Sequence, residues 1–225
     1  MEGCQVILFW AYFMLTFAKN KRIFTLKHII FIFGLMLTLA SCSTTKSVTT
    51  GSTTAPKETW ATREAALSQI KSWQINGKIA VQNTKDAGSA SLDWFQSSQR
   101  YIISLQGPLG SHAMKLTGSP GQVTLQTSDG KSYRAASAEQ LLAKQWGFHL
   151  PVSNMNYWVR GLPVPNVAAN THFDDAGRLS TLVQQGYRVE FLSYTNTGRW
   201  SLPDKISITS PDIHVKMIVY RWNAG

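Results

Sequence analysis

From Ile75 onward the apolar residues recur at every second position, and that period constrains the fold more than any other feature of the chain. Ile75, Ile79 and Val81 alternate with Asn76, Lys78 and Gln82. Ala90, Leu92 and Trp94 alternate with Ser91 and Asp93, and Tyr101, Ile103 and Leu105 with Ser104 and Gln106. Val123, Leu125 and Thr127 alternate with Thr124 and Gln126. Successive strand side chains point to opposite faces, so each run has one dry and one wet face, as antiparallel sheets do. Turn formers separate the runs: Asp86-Ala87-Gly88, Gly107-Pro108-Leu109-Gly110, Ser119-Pro120-Gly121 and Ser128-Asp129-Gly130. After a helical interlude the pattern resumes. Asp174-Asp175-Ala176-Gly177 turns into Leu179–Gln184, followed by Tyr187, Val189 and Phe191, by Ile206 and Ile208, and by Ile213, Val215, Met217 and Val219. The expected fold is mainly β, with about 10–11 antiparallel strands. A single sheet of that size, apolar on one face, curls around that face into a barrel or half-barrel.

Short helices are expected to plug the open side. Trp60–Ser72 reads as one, with Thr62 as cap and Leu67, Ile70 and Trp73 as its apolar stripe. Ser137-Ala-Glu-Gln140 is close to a capping box, Leu141, Leu142 and Trp146 follow at helical spacing, and Gly147 ends the segment. Pro151–Gly161 reads as another short helix, with Ser153 or Asn154 near its start and Gly161-Leu162-Pro163 as its stop. The barrel does not read as membrane-spanning. Its turns are short at both ends, and Ser, Gln, Asn and Lys occupy the face that lipid would cover.

The N-terminus carries an address. Val6–Ala18 is apolar over 13 residues, Lys19, Lys21, Arg22 and Lys27 form a basic cluster, and Ile29–Ala40 is a second apolar run of 12 residues. Neither run has the ~20 residues of a spanning helix. A basic stretch, a short apolar core and small residues make a secretory signal, here residues 1–41. Starting from Met14 leaves one basic region and one apolar core, which points to Met14 as the biological start. Leu39-Ala40-Ser41-Cys42 resembles a bacterial lipobox, in which the cysteine thiolate takes a diacylglycerol and becomes the first residue of the mature chain. Ser43, where an Asp often retains such proteins at the inner membrane, points to the outer membrane. Residues 42–59, Ser/Thr-rich with Gly51 and Pro56, have little to bury and read as a lipidated flexible tether. Residues 60–225 form the domain.

Charge and chemistry exclude several function classes. The formal charge of +10 falls to +7 once residues 1–41 are removed, because four basic groups and one acidic group leave with them. The remaining cations are scattered, with no Lys/Arg-rich run, which argues against nucleic acid and for an acidic protein or an anionic lipid surface. Aromatics at 11% and charged residues at only 15% exclude disorder for most of the chain. Two cysteines make neither a disulfide framework nor a Cys4 zinc site. No zincin, nucleophile-elbow, Walker or dinucleotide motif occurs. His112, His149, His172 and His214, at spacings of 37, 23 and 42, match no local metal motif. Asp174-Asp175 beside Ala-Gly is more simply a turn than a carboxylate pair. Ser111 and His112 are sequence neighbours, so they point apart on a strand. No catalysis, metal or cofactor is expected.

One loop is unusual. Gly107-Pro108-Leu109-Gly110 sets Leu109 at a hairpin tip where Asn, Asp or Gly is the usual residue. Leu109 either folds back onto its sheet or projects. The lipobox, the β-rich body, Gly107-Pro-Leu-Gly-Ser111 after a strand, and Trp158-Val-Arg-Gly-Leu-Pro163 together resemble the LolB family, outer-membrane lipoprotein receptors of Gram-negative bacteria. The resemblance runs from Trp60 to Trp222. It implies an unclosed barrel with helices in its open side and a hydrophobic cavity between. It implies further that the periplasmic carrier LolA hands over a lipoprotein, that the cavity takes its acyl chains, and that these are released into outer-membrane lipid without a nucleotide. The family's tip leucine corresponds to Leu109, flanked by Pro108 and Gly110. Candidates for the acyl-chain lining are Trp94, Tyr101, Ile103, Leu105, Met114, Leu116, Val123, Leu125, Phe191 and Met217, part of which is expected to pack as ordinary core. The chain is expected to be a monomer. Two other readings stay open: another lipid- or glycolipid-binding periplasmic lipoprotein on this fold, and a periplasmic hydrolase using Asp174 or Asp175.

The anchor is directly testable. Intact-mass measurement of membrane-extracted protein is expected to show a chain that begins at Cys42 and carries the lipid adduct. An unmodified N-terminus, or retention of Met14, excludes it. Cys42→Ala is expected to release a folded periplasmic domain, because stable attachment needs the acyl chains.

Overall fold

The computed structural model describes residues 58–147 and 149–225. The signal segment, the Met14 start, Cys42 and the Ser/Thr-rich tether lie outside the described residues. Within them the chain runs α1 (Trp60–Ser68), β1 (Ser72–Asn83), β2 (Ala87–Ser97), β3 (Arg100–Gln106), β4 (Met114–Ser119), β5 (Gln122–Thr127) and β6 (Ser132–Ala135). It continues through α2 (Ala138–Trp146) and α3 (Val152–Trp158) to β7 (Asn170–Phe173), β8 (Leu179–Gln184), β9 (Tyr187–Thr197), β10 (Trp200–Thr209) and β11 (Ile213–Ala224). The alternation in the sequence becomes a burial alternation. In β1, Trp73, Ile75 and Ile79 are buried, and in β11 Ile213, Val215, Met217 and Val219 are.

All strands belong to one antiparallel sheet of eleven, ordered β6-β5-β4-β3-β2-β1-β11-β10-β9-β8-β7. Hairpins build β1 to β6 outward in one direction, and β7 to β11 inward from the other edge. The halves meet where β1 pairs with β11, from Trp73 opposite Ala224 to Asn83 opposite Ile213. No pairing of β6 with β7 closes the sheet among the described residues, so the barrel is open, as the family resemblance implied. The openness explains where the helices sit. β6 and β7 are opposite edges, so the chain between them must cross the sheet, and it does so as α2 and α3 with their apolar sides against the dry face.

Local signals set most helix ends. Ser137 caps α2, its Oγ accepting from Gln140 N at 3.2 Å, and Gly147 closes it in the left-handed region at φ 71°. The start of α3 is satisfied from outside, because Glu139 Oε1 of α2 accepts from Ser153 N at 2.8 Å. Three expectations for the first helix need correction, the first being its end, which falls at Ser68 while Ser72 opens β1. The cap of α1 is Thr59, whose Oγ1 accepts from Thr62 N, and not Thr62 itself. Trp73 belongs to β1 rather than to the helix. Helical and strand spacing coincide over so short a stretch, and pairing with Ala224 and Gln96 decides for the strand.

The inward face is held by a few polar bonds set in an apolar core. Trp73 packs on Trp94 and Trp222, with ring centroids 5.1 and 5.6 Å away. Three buried indole N–H groups find acceptors: Trp94 donates to Gln96 Oε1 (3.1 Å), Trp158 to Gln184 Oε1 (3.2 Å) and Trp222 to the Pro203 carbonyl (2.8 Å). Gln184, 2% exposed, uses both ends of its amide. It accepts from Trp158 Nε1 and Val164 N, and donates to the carbonyls of Val164 (3.0 Å) and Val167 (3.1 Å). The segment after α3 is thereby pinned to β8. Arg160 adds a tie to the other half, donating to the carbonyls of Ile70 and Asn156, each at 3.0 Å.

Gln184→Met keeps the volume and removes the amide, stranding two donors and two acceptors. Each buried group left unpaired costs about 1–3 kcal/mol. Urea unfolding is expected to show a loss of at least ~3 kcal/mol, and unchanged stability would mean that the pin is dispensable.

Candidate functional site

Between the curled sheet and the crossing helices lies a cavity of about 50 Å³ whose lining side chains are all apolar. The sheet contributes Ile79 from β1, Leu92 and Trp94 from β2, Ile103 and Leu105 from β3, Met114 and Leu116 from β4, Leu125 from β5 and Met217 from β11. The opposite wall is Leu142 of α2, Leu150 of the connection, and Val152 and Met155 of α3. The one indole N–H on these walls, that of Trp94, is already donated to Gln96, so such a site can hold hydrocarbon and can orient nothing polar.

Of the ten lining candidates chosen from the sequence, Trp94, Ile103, Leu105, Met114, Leu116, Leu125 and Met217 meet at this cavity. Tyr101, Val123 and Phe191 do not line it. Tyr101 pairs with Gly118 and lays its ring where a side chain at Gly118 would stand, since a Cβ there would lie 2.1 Å from the ring. Burial, then the charge of Glu139, pushes the Tyr101 phenol up to about 12, so it stays protonated at neutral pH. Val123 is buried on β5 and Phe191 on β9, where Phe191 packs against Tyr194 at 6.1 Å. The helical wall was not chosen from the sequence. Period shows that α2 and α3 are amphipathic, and not which strands their apolar sides will meet.

A second, larger cleft of about 330 Å³ lies among α1, the start of β1, the β2–β3 turn and the segment after α3. Glu64, Lys71, Gln96, Asn156 and Arg160 share its walls with Trp73, Leu162 and Pro163. Size alone would favour it, but the smaller cavity has the chemistry for an acyl chain.

The β3–β4 loop carries the other candidate. Pro108–Gly110 forms one tight turn, closed by Gly110 N to Gly107 O (3.2 Å) and Ser111 N to Pro108 O (3.1 Å). Leu109 occupies the left-handed region at φ 55°, ψ 27°, with its side chain fully exposed. It projects and does not fold back. A leucine in that region costs ~1–2 kcal/mol relative to ordinary backbone. The loop thus holds an apolar side chain in water on a strained backbone, a combination that local stability does not explain.

The residues considered for catalysis are placed plainly. Asp174 Oδ1 accepts from the N–H groups of Ala176 (3.0 Å) and Arg178 (2.8 Å), and Oδ2 from Arg178 Nε (2.7 Å). Burial would raise its carboxyl, but these Arg178 and Ala176 bonds outweigh it and hold it below the usual carboxylate range. Its oxygens are committed to the turn. His112, His149 and His172 lie apart near the surface, and His214 faces Ser207 Oγ at 3.1 Å. Among the described residues no group of three or more His, Cys, Asp or Glu is placed to hold a metal.

The family model described as "Outer membrane lipoprotein LolB" matches residues 71–222. The chain is 38% identical over 197 residues to the outer-membrane lipoprotein LolB of Pseudomonas syringae pv. syringae (strain B728a), covering 88% of this chain and 96% of the relative. It is 39% identical over the same length to its counterpart in Pseudomonas putida (strain KT2440), with the same coverage. Among solved structures, a Vibrio parahaemolyticus domain named for outer-membrane lipoprotein sorting shares the fold, with TM-score 0.50 at 7% identity, covering 73% of this chain and 90% of that one.

Enlarging the cavity tests its character without assuming a ligand. Met155→Ala removes a buried side chain from the helical wall and is expected to cost about 2–5 kcal/mol. The larger void approaches the ~150 Å³ at which an apolar cavity stays dry and takes up benzene. Saturating benzene is then expected to raise the melting temperature of Met155→Ala and leave the unsubstituted chain unchanged. No rise would mean that the void collapses or fills with water.

Proposed function

The chain belongs to the LolB family of outer-membrane lipoproteins, and on that premise we propose that it is a receptor accepting lipoproteins from the periplasmic carrier LolA. It shelters their acyl chains between sheet and helices and inserts them into the outer membrane. It works as a monomer held at that membrane by lipid on Cys42. The observation that carries the reading is the cavity, apolar on every wall and enclosed by a sheet on one side and helices on the other. Each methylene kept from water is worth ~0.8 kcal/mol, so acyl chains cannot cross an aqueous space bare. A cavity without polar groups holds such chains without tying them, which keeps both acceptance and release close to level.

The cavity must widen to do this. At about 50 Å³ it is a third of the ~150 Å³ that admits one benzene. The sheet wall cannot yield easily, because each of its strands is hydrogen-bonded to its neighbours. The helical wall can. α2 is tied to α3 by the Glu139–Ser153 bond, and α3 to the sheet through Trp158 and Gln184. Chains enter as α2 and the connection to α3 move away from β3, β4 and β5.

Leu109 acts at delivery. One leucine dipped into lipid contributes ~1.5–3 kcal/mol. That is too little to anchor a domain and enough to bias which end of the barrel meets the bilayer. The strain of its backbone is the cost of presenting it there.

The test separates acceptance from delivery. Radiolabelled lipoprotein bound to LolA is mixed with the receptor and then with liposomes. The unsubstituted chain is expected to complete both steps. Leu109→Glu should keep its melting temperature, take cargo from LolA and fail to pass it to the liposomes. Failure to accept would mean that Leu109 serves the encounter with LolA. Failure of the unsubstituted chain to take any cargo would remove the receptor reading.

A further inference from the structure

The outer, solvent face of the sheet carries a cluster that the cavity and the Leu109 loop do not use. Lys78 of β1 stands directly opposite Ile218 of β11, and Ile218 directly opposite Lys205 of β10. Lys216 lies two residues along β11 on the same face. Neighbouring strands are about 4.8 Å apart, so three ammonium groups crowd around one exposed isoleucine. All three lysines are exposed, and none pairs with a carboxylate among the described residues. The acids on this face are engaged: Asp93, two residues from the Ser91 that pairs with Lys78, accepts from Gln74 Nε2 and Asn76 Nδ2. Glu190 pairs with Arg188 at 3.1 Å, and Asp204 accepts from Ser193 Oγ.

Two irregularities of the sheet add apolar groups to this field. The β1–β11 register shifts at Asn76/Gly77, leaving Tyr220 as the extra residue of a bulge. Only glycine fits opposite it, since a Cβ on Gly77 would lie 2.0 Å from the Ile218 carbonyl oxygen. The β9–β10 register shifts beside Lys205, leaving Leu192 unpaired between Phe191 and Ser193. Bulges re-aim side chains, and here Tyr220 (65% exposed), Leu192 (62%) and Ile218 (40%) stand in water among the lysines. The row also has a position relative to the delivery loop. Lys78 pairs with Ser91, and Ser91 with Gln106, the last residue of β3 before the Leu109 turn.

We infer that this face, centred on Lys78, Lys205, Lys216, Ile218, Tyr220 and Leu192, is a docking surface for an anionic phospholipid bilayer. The choice of occupant follows from the residue types. Protein interfaces favour arginine, whose planar fork pairs with carboxylates, and are depleted of lysine. A mobile field of lipid phosphates asks only for point charges, with aromatic and aliphatic groups between them to enter the headgroup layer. Docking there sets the roll of the domain about its tether and brings the Leu109 end of β3 to the same membrane. The inference rests on the outer-membrane reading above, but its measurement does not depend on cargo transfer.

The test uses the full lipidated chain in vesicles of phosphatidylcholine, with or without phosphatidylglycerol. An environment-sensitive fluorophore is placed at Ala80→Cys, an exposed position on this face opposite Lys216, and the unsubstituted chain corrects for other labelling. The emission is expected to shift to the blue when phosphatidylglycerol is present and to return at high salt. Each lysine near an anionic surface contributes about fivefold, the equivalent of ~1 kcal/mol. Combined Lys78→Gln, Lys205→Gln and Lys216→Gln should therefore lower the docked-to-free ratio by about 100-fold, with the melting temperature unchanged. Identical emission in both kinds of vesicle, or no effect of the triple substitution, overturns the inference. So does a label that responds to added LolA and not to phosphatidylglycerol, because the face is then a protein interface.

Discussion

The antiparallel pairing of β1 with β11 is the constraint from which the rest of the architecture follows. It joins the first strand of the domain to the last and so turns two hairpin series into one sheet of eleven strands. With the join in the middle, the ends of the two series become opposite edges. The chain must then travel from β6 to β7 across a face, and the dry face is the one that rewards it. Helices in the mouth of an open barrel are thus a consequence of strand order. A pairing of β6 with β7 would have closed the barrel and left the crossing segment nothing to cover.

Inside that frame polar groups are few and concentrated. Gln184 and Arg160 hold the segment after α3 to both halves of the sheet, through Val164, Val167 and Trp158 on one side and Ile70 on the other. None of the residues in those bonds lines the apolar cavity. The division is physically sensible. A fixed post needs bonds that fail if it shifts, and a wall that parts from the sheet under the proposed entry of acyl chains is better held by dispersion and area alone, which re-form without a register to find.

The unusual local features lie on the outside. Leu109 on its strained turn, and Tyr220 and Leu192 at two bulges, each expose apolar surface where a polar residue would be cheaper. Buried packing does not require any of them. Tyr220 lies at the β1–β11 join, Leu192 on β9 two strands away, and Leu109 at the end of β3.

Much of this was legible in the sequence, and the rest was not for definite reasons. Period two in runs such as Tyr101-Ile103-Leu105 and Ile213-Val215-Met217 determined the antiparallel sheet, because a strand has only two faces. Ser137 and Gly147 determined the ends of α2, because caps act within a turn. The lipobox-like Leu39-Ala40-Ser41-Cys42 and the Pro-Leu-Gly loop are local patterns and needed no fold to be noticed. Which apolar residues face a cavity depends instead on what covers them. Leu116 and Val123 carry the same sequence signal, yet Leu116 lines the void and Val123 does not. Met155 and Leu142 joined the site because the β6–β7 crossing brought them there, and no spacing within a helix encodes that. Trp73 shows the same limit, since its spacing from Leu67 and Ile70 suits a helix until pairing with Gln96 and Ala224 claims it for a strand. The sequence by itself determined the class of structure, through short-range period and turn chemistry. The tertiary structure alone decided which residues share a space, because hydrophobic burial has no direction until strand order supplies one.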